Sequence, residues 1–229
     1  MKKLFFILVS LTIIVTLSLL SVEGYAGSLE WRKYDNFNSG VIDPDRWDVD
    51  DSSADISIVD GRARFEHLAG EVYADDSSWL KIKKGRKKIK GIRATVTVES
   101  CTGNVQARIG AFSGKIGDDY IYDTLRVQAD SERVFGSRLV LEPGTFAIVY
   151  EPFWGRFEEP LATLGNTFII TMVFSPRKVT YAVGGLGKFT YKIPGKISRT
   201  DNYLRGIGTY SWNGDGPCVV YFDDVYVLR

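Results

Sequence analysis

The chain has 229 residues, 45% of them hydrophobic and 25% charged. That balance excludes a disordered polymer and suits one domain with a sizeable core, or one large all-β sandwich. With 29 basic and 28 acidic residues the formal charge is +1, so no net field draws the chain to nucleic acid.

The N-terminus reads as a leader. Lys2 and Lys3 precede an apolar stretch from Leu4 to Leu20, and Gly24-Tyr25-Ala26 then sets small residues where a signal peptidase reads. We expect a signal peptide over 1–26, cleavage after Ala26, and a mature secreted or periplasmic domain over 27–229 without a transmembrane segment. A retained anchor is the competing reading, because the apolar stretch is nearly long enough to span a bilayer. No repeat, low-complexity tract or linker interrupts 27–229, so one domain is expected.

Trp31 and Trp47 read as core residues near the start. Asp43-Pro44-Asp45, Asp48 and Asp50-Asp51 form an acidic cluster without the Gly and Glu of an EF-hand loop, hence a turn with solvated acids. Asp60-Gly61 is a turn. His67, the one histidine, has no nucleophile pattern around it and reads as structural or exposed. The basic run from Lys81 to Lys90, centred on Gly85, reads as a solvated turn between strands at about 77–83 and 88–99. A contact for anionic polymer or phospholipid is its alternative.

Ile92, Ala94, Val96 and Val98 alternate with Arg93, Thr95, Thr97 and Glu99, the period of a half-buried strand. Cys101 ends that strand and Cys218 begins the last one. In an oxidising compartment the two could pair, closing a loop of more than 100 residues; two buried free thiols are the equal alternative. Their spacing is not that of a zinc site. Segment 114–143 is either paired strands or a long loop, and Thr145–Tyr150 reads as a strand. Trp154 falls in turn-like sequence, outside strand periodicity. Thr167–Phe174 is apolar on both faces and predicts a central strand covered on both sides. Val179, Tyr181 and Val183 lead through Gly184-Gly185-Leu186-Gly187 into Phe189, Tyr191 and Ile193, a hairpin. Trp212 runs into a Gly-rich loop, and Cys218–Leu228 is the last strand. Many short strands, 23 glycines and no amphipathic helix predict an all-β, two-sheet antiparallel sandwich or jelly roll.

The ends carry a more specific pattern. The mature chain opens with Tyr34-Asp35-Asn36-Phe37, a turn at Gly40, Ile42-Asp43 and Trp47. It closes with Tyr221-Phe222-Asp223-Asp224-Val225-Tyr226-Val227. This pairing resembles the concanavalin A-like lectin/glucanase superfamily. The resemblance implies a jelly roll whose terminal strands lie side by side, and a carbohydrate ligand. It also implies one structural Ca2+, held by a last-strand carboxylate (Asp223) and a backbone carbonyl after an early turn (Gly61). Asp223 would need such a partner if it shares a face with Val219, Tyr221, Val225 and Val227.

The catalytic signature of the enzyme members is missing. No Glu-x-Asp-x-x-Glu strand occurs: Glu66 and Glu71 lack the middle Asp, and Glu151 and Glu158-Glu159 flank Pro152 and Trp154. The lyase pattern also fails, since it needs a strand Gln-x-His. The first reading is therefore an exported, non-catalytic carbohydrate-binding domain. Trp154 and Trp212 would supply sugar-stacking surfaces, with Arg156, Asn213 and Asp215 as polar contacts. Lids on the core are the alternative for the two tryptophans. A structural, envelope-associated sandwich that docks a protein is the second reading. A divergent polysaccharide hydrolase or lyase with relocated carboxylates is the third.

Overall fold

The computed structural model describes residues 29–68, 76–83, 85–129, 133–157, 163–192, 198, 204–212 and 217–229. The early strands are β1 (Trp31–Asp35), β2 (Trp47–Asp50), β3 (Asp55–Val59), β4 (Arg62–His67), β5 (Asp76–Ile82) and β6 (Gly91–Cys101). Three long strands follow, β7 (Asn104–Ile116), β8 (Asp119–Gln128) and β9 (Arg133–Leu141). The rest are β10 (Ile148–Arg156), β11 (Thr167–Ser175), β12 (Lys178–Val183), β13 (Gly187–Lys192), β14 (Arg205–Trp212) and β15 (Cys218–Leu228). One 3-10 turn, Arg86–Lys88, lies in the basic run.

Two antiparallel sheets face each other. The eight-stranded sheet runs β13-β12-β11-β6-β15-β4-β3, with β1 also paired to β15. The seven-stranded sheet runs β10-β9-β8-β7-β14-β5-β2. The terminal strands thus lie side by side, as the end motifs imply. Segment 114–143 resolves into the β7–β8 and β8–β9 pairings.

Period-two alternation builds the core. Ile92, Ala94, Val96 and Val98 of β6 meet Val105, Ala107, Ile109 and Ala111 of β7 inside the sandwich. The opening motif has a local cause. The Asp35 carboxylate accepts the Phe37 N–H at 2.9 Å and the Trp47 indole N–H at 2.7 Å, and Phe37 stacks on Trp47. One buried acid thereby fixes a turn and seats a large aromatic. Cys101 and Cys218 pair across β6 and β15 and form a disulfide.

A buried ion pair also joins the neighbouring strands β8 and β9 on their core side. Arg138 of β9 is fully buried and donates Nε and Nη2 to the two Asp123 oxygens at 2.6 and 2.7 Å. Further Arg138 donors reach the Ser175 and Pro176 carbonyls, which end β11 in the other sheet. Tyr181 donates to the Ser137 carbonyl at 2.6 Å. Each charge is paired and hydrogen-bonded, the condition for burying it.

Several expectations are corrected. Thr167–Phe174 (within β11) is interior to its sheet but covered on one side only: Phe168, Ile170, Met172 and Phe174 are buried while Ile169 is 51% exposed. Trp47 is core, whereas Trp31 is half-buried on the outer face under Arg93. In β15 the register shifts between Asp223 and Tyr226, and Asp224 holds a left-handed φ of 46°. This bulge turns Val225 and Val227 into the core beside Val220 and Phe222. Asp223 therefore does not share a face with them; Arg62 lies over its neighbour Tyr221.

Candidate functional site

The outer face of the seven-stranded sheet carries a groove of about 1110 Å3. Its floor follows from alternation. Where β7 sends Val105, Ala107 and Ile109 inward, Gln106, Arg108 and Gly110 face outward. The pairing register arranges these into rows across the sheet. One row runs Ser77, Tyr210, Gln106, Gln128 and Arg133; the next runs Trp79, Gly208, Arg108, Arg126 and Phe135.

Two glycines shape the second row. A Cβ on Gly110 would meet the Tyr122 hydroxyl at 2.5 Å and the Trp79 ring at 2.6 Å, and one on Gly208 would meet the Trp79 ring at 2.6 Å. Their missing side chains let the indole lie over β14 and β7. Arg108 then rests against two rings, 5.1 Å from the Trp79 centroid and 4.3 Å from that of Tyr210. Arg108 is 8% exposed, and burial pushes its guanidinium down to about 10, with Arg126 adding to the fall. Burial also lowers Arg126, whose Nη2 donates to Ser137 Oγ at 2.6 Å.

One end of the groove is apolar. Phe112, Tyr122, Leu139, Leu141 and Leu204 pack there as a second cluster. Phe146 covers it, with its ring 5.9 Å from that of Phe112. Its backbone is left-handed, φ 56°, an uncommon state for a bulky residue. Hydrogen bonds between Phe146 N–H and Glu142 O, and Glu142 N–H and Ala147 O, close the loop that holds it.

The sequence-derived candidates divide. Trp154 is not in a loop but in β10, the edge strand, where it lines the groove and is 43% exposed. Its ring approaches Phe135, and Arg156 lies 4.2 Å over it, so Trp154 and Arg156 come together. Trp212 is the last residue of β14, opposite Asn104, rather than part of a loop. Its side chain, and all of Asn213 and Asp215, lie outside the described residues.

Asp223 and Gly61 lie in the other sheet. Gly61 (φ 70°) closes the β3–β4 turn against Asn38, and Asp223 is in β15, the strand paired with β4. Burial raises the Asp223 carboxyl, partly offset by the Asp224 N–H that it accepts at 2.6 Å. Lys33 and Arg62 also act on it as cations. Among the described residues no group of three or more His, Cys, Asp or Glu could hold a metal ion. A cation here would rely on one carboxylate and backbone carbonyls.

His67 is structural. It is 4% exposed and its Nε2 lies 2.9 Å from Thr209 Oγ1 of the facing sheet. Trp79, Gln106, Arg108, Arg126 and Tyr210 were not among the sequence candidates. For Gln106 and Arg108 the signal was present in Asn104–Phe112, where inward apolar residues alternate with Gln, Arg and Gly.

No protein-family model matches the chain, and no curated protein matches it. Solved structures do. The catalytic domain of an endo-1,3-β-glucanase (laminarinase) from Thermotoga petrophila aligns at TM-score 0.59 and 12% identity, over 88% of this chain and 98% of that one. A Bacillus licheniformis β-glucanase aligns at TM-score 0.53 and 13% identity, over 89% and 99%. An endo-β-galactosidase from Clostridium perfringens that releases GlcNAcα1-4Gal aligns at TM-score 0.58 and 9% identity, over 89% and 63%. At these identities the likeness shows the fold: a concanavalin A-like jelly roll.

Proposed function

We propose that this jelly roll binds a glycan chain along the groove of its seven-stranded sheet and does not cleave it. The observation that carries the reading is the groove floor. The exposed Trp154 and half-buried Tyr210 offer ring faces over the deeper Trp79 and Phe135 rings, beside Gln128 and Arg133, the mix of flat apolar and hydrogen-bonding surface that a pyranose needs. The enzymes of like fold are named for glycans, which supports the ligand class.

The carboxylates support binding over hydrolysis. Among the described lining residues the acids are Asp50 and Glu151. They sit on β2 and β10, the two edges of the sheet. Six strand spacings of about 4.8 Å separate those edges, about 29 Å along the sheet. A glycosidase pair works at about 5–10 Å. Asp50 is also engaged by Lys81 at 2.6 Å.

Binding of the protein and of Trp154→Ala to immobilised β-glucans, galactans and uronates tests the reading. Trp154 is half-open, so its loss should weaken retention while changing stability by less than the roughly 3–5 kcal/mol of a buried aromatic. An unchanged retention profile for the variant, or no retention by the parent, would count against it.

A second reading has its own observation. Ile148, Val149 and Tyr150 are exposed along the β10 edge, an apolar margin, unpaired among the described residues, of the kind that docks a protein strand. Export belongs to the same proposal, and the disulfide suits an oxidising compartment. N-terminal sequencing of exported protein should begin at Gly27; a full-length chain in the membrane fraction would instead mean an anchor.

A further inference from the structure

The groove contains an electrostatic arrangement that glycan binding alone does not require. Arg108 and Arg126 are directly opposite residues of β7 and β8. Like charges at opposed positions destabilise an antiparallel pair, and burial makes the repulsion and desolvation worse. Neither guanidinium has a carboxylate within salt-bridge distance among the described residues, in contrast to Arg138, which is paired with Asp123 in the core. Glu151 acts on Arg126 only at longer range, from the exposed edge strand. Among the described residues, the Nε of Arg108, the Nε of Arg126 and both polar atoms of the Gln106 side chain are buried without a hydrogen-bond partner. Gln106 is fully buried and adjoins Arg108 along the same face of β7. Buried donors of this kind are ordinarily satisfied. Two cations and an amide thus sit together at a groove, with donors that an oxyanion would satisfy.

We propose that Arg108 and Arg126, with the buried Gln106 side chain beside them, form an anion-recognition subsite, and that the glycan held in the groove is acidic, carrying carboxylate or sulfate groups. The inference rests on the glycan-binding reading and narrows it to a ligand class. A guanidinium recognises either oxyanion through paired in-plane N–H donors. The Trp79 and Tyr210 rings hold the Arg108 plane in place beforehand, which lowers the ordering cost on binding. Phe135 ends the row beside Arg126, and next to it the 43%-exposed Trp154 leaves a ring face on which a sugar can stack beside the anionic substituent.

Calorimetric titration tests this with three oligosaccharides of equal length: a hexuronate, a sulfated galactan and a neutral β-glucan. At low salt at least one acidic oligomer should bind tenfold or more tightly than the neutral one, and added salt should erode that margin. The two acidic arms separate carboxylate from sulfate recognition. Arg108→Gln and Arg126→Gln should each cost tenfold or more in acidic binding and far less in neutral binding, so that the margin between acidic and neutral oligomers collapses. Melting temperatures of the ligand-free variants should stay near or above that of the parent, because each removes one of two apposed charges. A neutral oligomer that binds as tightly as both acidic ones would overturn this inference and leave glycan binding standing. Acidic binding that survives either substitution would overturn it too, as would variants that lose stability without losing affinity. Failure of all three oligomers to bind would remove both readings.

Discussion

At the scale of single residues, the buried polar groups divide into those that hold the fold and those that face the groove. Arg138 and Asp123 satisfy each other, and His67 bridges the sheets through Thr209. Burial lowers the His67 pKa to about 4 from 6.5. The folded protein therefore keeps this imidazole neutral where the unfolded chain takes a proton. Stability from this group is complete above about pH 6.5 and falls as pH drops toward 4, because there the unfolded state binds more protons. A shift of this size corresponds to about 3 kcal/mol. Denaturant unfolding at pH 7 and pH 4.5 should show the loss, and His67→Gln should flatten the slope across that window. A parent whose stability is level over the window would refute the assignment. From the sequence this histidine reads as structural or exposed, since no nucleophile pattern surrounds it. The contact that decides between the two was not legible, because Thr209 lies 142 residues away.

At the scale of elements, the groove depends on glycines that let an aromatic lie flat. Gly110→Ala would drive a Cβ into Trp79 and the Tyr122 hydroxyl, an overpacking that costs about 1–3 kcal/mol. We expect the indole to shift, glycan affinity to fall and tryptophan fluorescence to change, while Gly117→Ala, in a turn with open space around it, leaves binding untouched. Equal binding by Gly110→Ala and the parent would show that Trp79 is not a platform. The strand β6 and the β12–β13 hairpin were legible because their alternation is unbroken. Trp154 was misplaced because Pro152 reads as a turn; on an edge strand a proline is tolerated, and the register merely shifts between Tyr150 and Phe153. The β15 bulge was hidden for a related reason. Period-two counting assumes an unbroken ladder, and one left-handed residue, Asp224, inverts every face beyond it.

At the scale of the whole molecule, the sheets were legible as a class from composition and turn spacing, and the end motifs pointed to the jelly roll because they create its terminal strand pair. The groove was not legible, because it exists only when β5, β14, β7, β8 and β9 stand side by side. The proposed Ca2+ belongs to this scale as well, since its two candidate ligands, Asp223 and the Gly61 carbonyl, come from the last strand and an early turn. If calcium binds the folded state alone, adding it should raise the melting temperature, and Asp223→Ala should abolish the rise. A melting curve indifferent to calcium and to chelator would end that proposal.

The central claim, a glycan held on the outer face of the seven-stranded sheet, is tested most directly by the indole N–H signals of the five tryptophans. A spectrum of 15N-tryptophan-labelled protein, recorded with and without the best-retained oligosaccharide, reads both faces of the sandwich at once. The Trp79 and Trp154 signals should move, while Trp31, on the outer face of the other sheet, and Trp47, buried and bonded to Asp35, should stay in place. Movement confined to Trp31 or Trp47 would contradict the claim.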